Sequence, residues 1–213
     1  MERGSRIHLK VEKALLATDP RQKILRAPYD VLNPYIKHID ELKAQGATVS
    51  VEVEMAVDDK WNPCGWFWQP RTGDYPRGRA KADVAIKKGN KLVIIDWKTG
   101  KIKYFKPQQA KILSAVAFAN YPDVEEITTC FVFFDEGGKC STAVYRREDI
   151  PKLMIEPLEI WDDALYCIEQ NFFPKEQDAF NCRFCPVTDC EHNLKSMSDN
   201  EWRIHLKTAS RKR

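Results

Sequence analysis

No apolar stretch in these 213 residues approaches the roughly 20 that a membrane-crossing helix requires. The opening residues, MERGSRIHLK, lack the apolar core of a secretory signal, so the expected compartment is the cytoplasm, with no membrane partner. Charge of one sign is scarce as well. Lys and Arg number 34 against 31 Asp and Glu, a net charge of +3, so composition does not announce a nucleic-acid binder and any basic surface must be local. Repeats, low-complexity tracts and obvious linkers are missing. What remains is a globular composition, 43% hydrophobic with 12 prolines, on a chain long enough to bury a good core.

Seven cysteines is an odd number. Cys64, Cys130, Cys140 and Cys167 are dispersed singly, the pattern expected of reduced, interior or half-buried thiols. Cys182, Cys185 and Cys190 cluster in NCRFCPVTDCEHN with C-x2-C-x4-C spacing. In a reducing compartment such close spacing favours a metal or an iron–sulfur cluster over disulfides.

The periodicity predicts one continuous α/β order. Residues 5–17 carry Ile7, Val11, Ala14 and Leu15 at helical spacing, and a second helix is expected over 28–44. Residues 48–57 then alternate, with Val49, Val51, Val53 and Met55 against Ser50, Glu52 and Glu54. An irregular, tryptophan-rich excursion over 58–74 precedes a strand over 78–87. The turn KKGNK leads into an apolar strand over 92–96. A helix over 106–120, strands over 126–135 and 142–146, and a long helix reaching Glu169 follow. Asp149 and Pro151 are placed to start that last helix, with Leu158, Trp161, Leu165 and Ile168 facing inward. Residues 1–175 are expected to form the core, with a cysteine-rich segment and basic tail over 176–213 packed on it.

The chemistry concentrates in IIDWKTGK at residues 94–101. Asp96 and Lys98, two apart at the end of a strand, project to one face. A carboxylate beside an ammonium there can hold a divalent cation and orient or activate a water, as phosphodiester hydrolysis requires. GRAKADVAI supplies a second carboxylate, Asp83, flanked by Ala82 and Val84. Antiparallel pairing through the KKGNK turn brings Asp83 about level with Asp96.

Four short motifs in order, GSRIH, the Asp of RAKADV, IIDWKTGK and the QQAKIL helix, resemble the PD-(D/E)xK nuclease superfamily. The branch most similar contains the RecB/AddB-like exonuclease domains, their stand-alone phage relatives and the iron–sulfur nucleases of CRISPR adaptation. The resemblance runs from His8 to about His192. It implies that His8, Asp83 and Asp96 are ligands of Mg²⁺ or Mn²⁺, joined by the backbone carbonyl of Trp97, and that Lys98 positions or activates the attacking water. Gln109 takes a supporting place near the lysine, with Gln108 as the alternative register, because Leu113 stands where the family carries tyrosine. Glu52 matches an acid the family often places on its first strand. It would serve a second metal or hold Lys98 charged.

Members of the iron–sulfur branch use three clustered cysteines and one upstream of the GxxxH helix. Cys182, Cys185 and Cys190 match the three, but no cysteine precedes His8 in this sequence. Either an upstream segment with the fourth cysteine is missing from this sequence or another ligand substitutes, and a zinc site completed by His192, an iron–sulfur cluster and free thiols are the alternatives, in that order. Phosphate contacts are sought among Arg71, Arg77, Arg79 and Lys81, among Lys101, Lys103 and Lys106, and in the tail at Lys207, Arg211, Lys212 and Arg213. Base stacking is sought on Trp61, Trp66 or Trp68.

The expectation is therefore an α/β, restriction-endonuclease-like mixed sheet flanked by helices, with a C-terminal metal-binding cap. Its function is expected to be that of a metal-dependent deoxyribonuclease, an exonuclease on single-stranded DNA or DNA ends, in a prokaryotic cell or phage-infected host. Recombination or replication proteins are the expected partners. The competing expectation is a non-catalytic DNA-binding or assembly subunit, and a third is an RNase on the same scaffold.

Overall fold

The computed structural model describes residues 2–67, 76–172, 181–187, 189, 190, 193, 198 and 201. Helices α1 (Glu2–Leu16) and α2 (Asn33–Ala44) precede strands β1 (Thr48–Val57), β2 (Gly78–Lys88) and β3 (Lys91–Lys98). Helix α3 (Pro107–Asn120), strands β4 (Glu126–Phe133) and β5 (Lys139–Arg146), and helices α4 (Ile150–Glu169) and α5 (Asn181–Phe184) follow. Two compact units result, Met1–Glu159 and Ile160–Arg213.

The five strands make one mixed sheet in simple sequential order. Neighbours pair antiparallel except β3 and β4, which run parallel because α3 carries the chain back between them. The β2–β3 hairpin closes between Lys88 and Lys91, leaving Gly89 and Asn90 as its loop. Gly89 takes φ 59°, which the tight loop needs and a side chain would resist.

Two apolar layers sandwich the sheet. On one face α1 and α2 place Ile7, Val11, Ile36 and Ile39 over Val84, Ile86, Ile95 and Val132. On the other, α3 places Leu113, Val116 and Phe118 over Leu92, Ile94, Ile127 and Phe131. Burying each of these large side chains contributes roughly 1.5–3 kcal/mol. Both faces of β3 are therefore covered, and its sequence reads as an unbroken apolar run.

Strand β1 departs from the expected alternation. Val49 and Val51 pack on the α1/α2 side, whereas Val53, Met55 and Val57 pack under α3. The row changes face at Glu52, whose φ is 55°. Strand β2 switches at the same level: Val84 and Ile86 lie on the α1/α2 side, Ala80 and Ala82 on the α3 side. A left-handed residue inside a strand rotates everything beyond it, and residue alternation alone carries no sign of that.

Two further expectations are corrected. Cys130 and Cys140 are disulfide-bonded, with Cα atoms 6.0 Å apart, instead of being single thiols. They sit on paired strands, with Cys130 opposite Thr142 and Cys140 opposite Val132, a diagonal that linear spacing does not display. In α4, Leu165 and Ile168 are exposed, at 37% and 60%, and do not face inward. Among the described residues no helix is long and apolar enough to cross a membrane.

Candidate metal centre and basic cleft

β2 and β3 part after the pair Val84–Ile95. Continuing that register one step sets Asp83 opposite Asp96, as the hairpin count anticipated. Asp83 fills the gap. Its Oδ2 accepts the Trp97 backbone N–H at 2.7 Å, and its Oδ1 lies 2.9 Å from His8 Nδ1. A buried carboxylate thus replaces a strand partner for one N–H.

His8 reaches this point because Ile7 and Val11 seat α1 on the sheet, leaving the imidazole half-buried at the strand ends. The hydrogen bond to Asp83 raises the His8 pKa, against the opposing effect of burial. Glu52 arrives from β1, directly across from Asp83 by the pairs Val51–Val84 and Val53–Ala82. His8, Glu52 and Asp83 each offer a ligand atom, all within 4.8 Å of one another. Among the described residues this is the group that gathers three such atoms. Glu52 Oε2 also pairs with Lys81 Nζ at 2.6 Å, the side chains being 27% and 45% exposed. At that exposure the pair contributes about 1 kcal/mol or less.

Asp96 is buried at 6% exposure, and Lys98 Nζ lies 2.8 Å from its Oδ2. The ammonium gives this buried carboxylate a charged partner. Burial pushes the Asp96 pKa up to about 6, with Lys98 opposing and Asp83 reinforcing the shift. Lys98 Nζ also lies 5.5 Å from the centre of the Phe131 ring. Asp96 and Lys98 therefore share a face, as period two required.

Two carboxylates and an imidazole whose ligand atoms lie within 4.8 Å of one another fit a hard divalent cation. His8, Glu52 and Asp83 are the residues that would hold it, whereas Asp96, expected as a ligand, is not among the atoms so gathered. Trp97 contributes its N–H to Asp83, and its indole is buried edge-on to Tyr35 with ring centres 5.9 Å apart.

Lys98 opens onto a cleft of about 770 Å³. Its lining includes Arg79, Lys81, Lys98, Lys101 and Lys106 and, among the described residues, no acidic side chain. The nearby acids are engaged elsewhere: Asp135 accepts the Gly100 N–H at 3.0 Å and Glu136 the Ile102 N–H at 2.8 Å. These bonds hold the loop after β3 as one wall. Gln108 and Gln109, both exposed in the first turn of α3, line the cleft, so both registers reach it. Tyr104 also lines it, 73% exposed. The sequence reading missed Tyr104, although an aromatic residue amid lysines in KIKYFK was the available signal.

Of the tryptophans proposed for stacking, Trp61 packs against the core and Trp66 lies under the Arg79 guanidinium at 5.2 Å. Arg77 donates to the Asp59 carbonyl. Arg71, Trp68, His192, Lys207, Arg211, Lys212 and Arg213 lie outside the described residues.

Cys182, Cys185 and Cys190 are free, half-buried thiols. Asn193 closes their loop, donating its backbone N–H to the Cys190 carbonyl at 2.9 Å and its side-chain amide to the Cys185 carbonyl at 3.3 Å.

No family model matches this chain, and no curated protein does. Among solved structures, one described as "Crystal structure of SSO0001" is similar, with 16% identity and a TM-score of 0.36, over 90% of this chain and 81% of that one.

Proposed function

We propose that this protein is a divalent-metal-dependent DNA nuclease on a restriction-endonuclease-like scaffold. The observation that carries this reading is the gathering of His8, Glu52 and Asp83 ligand atoms within 4.8 Å of one another, with the buried Asp96–Lys98 pair nearby and Lys98 lining a cleft that also carries Arg79, Lys101 and Lys106. Asp83, Asp96, Glu52 and His8 would hold Mg²⁺ or Mn²⁺, which would supply Lewis acidity toward the scissile phosphate and lower the pKa of bound water. Lys98 positions the attacking water and offsets charge gathering on the phosphoryl oxygens. Gln109, or Gln108, steadies the backbone at the cleft wall.

Arg79, Lys101 and Lys106 neutralise flanking phosphates. Among the described residues neither Lys101 nor Lys106 has an ion-pair partner. Exposed Tyr104 offers a stacking face for an unpaired base, which favours single strands or frayed ends as substrate. The cysteine loop is a structural metal or iron–sulfur site.

The test is digestion of end-labelled single- and double-stranded DNA with Mn²⁺, Mg²⁺ or chelator, beside Lys98→Ala. Metal-dependent shortening from an end that the variant lacks is expected. Absence of cleavage on every substrate, with DNA binding retained, would refute the nuclease reading.

A further inference from the structure

Lys81 belongs to two sites at once. Its ammonium holds Glu52 Oε2 at 2.6 Å, and its side chain also lines the basic cleft. Glu52 is in turn one of three residues whose ligand atoms lie within 4.8 Å of one another. An ammonium 2.6 Å from a carboxylate oxygen repels a divalent cation on the same carboxylate, and Lys81, 45% exposed where Lys98 beside Asp96 is 27% exposed, has solvent to move into. We infer that Lys81 is a displaceable counter-ion of the metal centre: it occupies Glu52 until a divalent cation takes that carboxylate, and is then released toward the cleft. This rests on the metal-centre reading above.

Geometry favours this role over that of an ordinary surface pair. The register sets Lys81 opposite Glu54, yet its ammonium goes to Glu52, the residue whose φ of 55° marks the face change. Without Lys81, Glu52 would face Asp83 across the strands with only the His8 imidazole between like charges. The lysine therefore preorganises the carboxylates for a cation while competing with it. Because the pair is half-exposed, the competition is weak enough for a divalent ion to win.

The test measures Mn²⁺ affinity of the full chain, reading free Mn²⁺ by electron paramagnetic resonance, for the unaltered protein, Lys81→Met, Lys88→Met and Glu52→Gln/Lys81→Met beside Glu52→Gln. Far-UV circular dichroism checks each fold. Lys81→Met is expected to bind Mn²⁺ about tenfold tighter. Lys88→Met, which removes a cation from the far end of β2, should stay within about twofold. In the Glu52→Gln background the gain from Lys81→Met should vanish.

Equal affinity in Lys81→Met and the unaltered protein would overturn the counter-ion role alone and leave the metal centre standing. So would an equal gain in Lys88→Met, since that reports net charge. Absence of Mn²⁺ binding in every variant would overturn both this inference and the metal-centre reading.

Discussion

Glu52 on β1 stands directly across from Asp83 on β2, and at that level both strands turn their apolar rows from one face of the sheet to the other. Opposed carboxylates at a strand pair repel. Here each has a compensating partner, Lys81 for Glu52 and His8 for Asp83. In the proposed metal centre a divalent cation would displace Lys81, keep His8 as a ligand and satisfy both acids together.

Removing the machinery should remove cleavage and leave the fold. Asp96→Asn and Lys98→Met are each expected to lower the metal-dependent cleavage rate by at least about 100-fold, with unchanged far-UV circular dichroism. Cleavage within tenfold of the unaltered protein in both would defeat the assigned roles.

Asp96 sets a pH dependence whose sign follows from its raised pKa. A carboxyl at about 6 in the folded chain, against an ordinary value of 3.8, holds its proton more tightly when folded. Its contribution is full below about pH 4 and is lost as pH rises to about 6, because the folded state must ionise a buried group. The loss is on the order of 2–3 kcal/mol. His8 acts in the same sense above its ordinary value of 6.5, since its pKa is also raised. Chemical denaturation of metal-free protein from pH 4 to 7 should therefore show falling stability, and Asp96→Asn should flatten it. An unchanged slope in that variant would show that Asp96 ionises freely.

Metal binding should appear as thermal stabilisation. At about 100 times its dissociation constant a ligand adds about 2.7 kcal/mol, so Mn²⁺ should raise the midpoint by several degrees relative to chelator. Asp83→Asn should abolish that difference within its own pair of scans. A rise of equal size in the variant would place the ion elsewhere.

Backbone geometry at Glu52 can be separated from its charge. Glu52→Gly and Glu52→Ala both lose the carboxylate, but only alanine still resists φ 55°. The glycine variant is expected to be more stable by about 1 kcal/mol in urea. Equal stability would mean that the strand relaxes once the Lys81 pair is gone.

Tyr104 gives a test of strand preference. Tyr104→Ala should weaken binding of a fluorescent single-stranded oligonucleotide by about 1–3 kcal/mol and leave duplex binding nearly unchanged. An equal loss on both would make the residue a general contact and remove the stacking argument.

Much of the fold was legible because apolar periodicity is a local signal. Two helices, three strands, helix, two strands, helix is the order found, and the hairpin count placed Asp83 level with Asp96. Asp96 and Lys98 share a face because strand geometry demands it. The switch of face at Glu52, the Lys81 pairing and the Cys130–Cys140 bond were not legible. Each depends on which residue lies across a neighbouring strand.

By itself, then, the sequence determined the elements, the hairpin register and the two residues of the D-x-K strand, since these follow from backbone period and loop length over a few neighbouring residues. Tertiary structure decided the rest. It brought His8 from α1 and Glu52 from β1 to Asp83, buried Asp96 beside Lys98, and directed Asp135 and Glu136 onto backbone N–H groups beside a cleft whose charged lining is basic among the described residues. Burial and electrostatic field are properties of atoms gathered from distant parts of the chain, so no local pattern can state them.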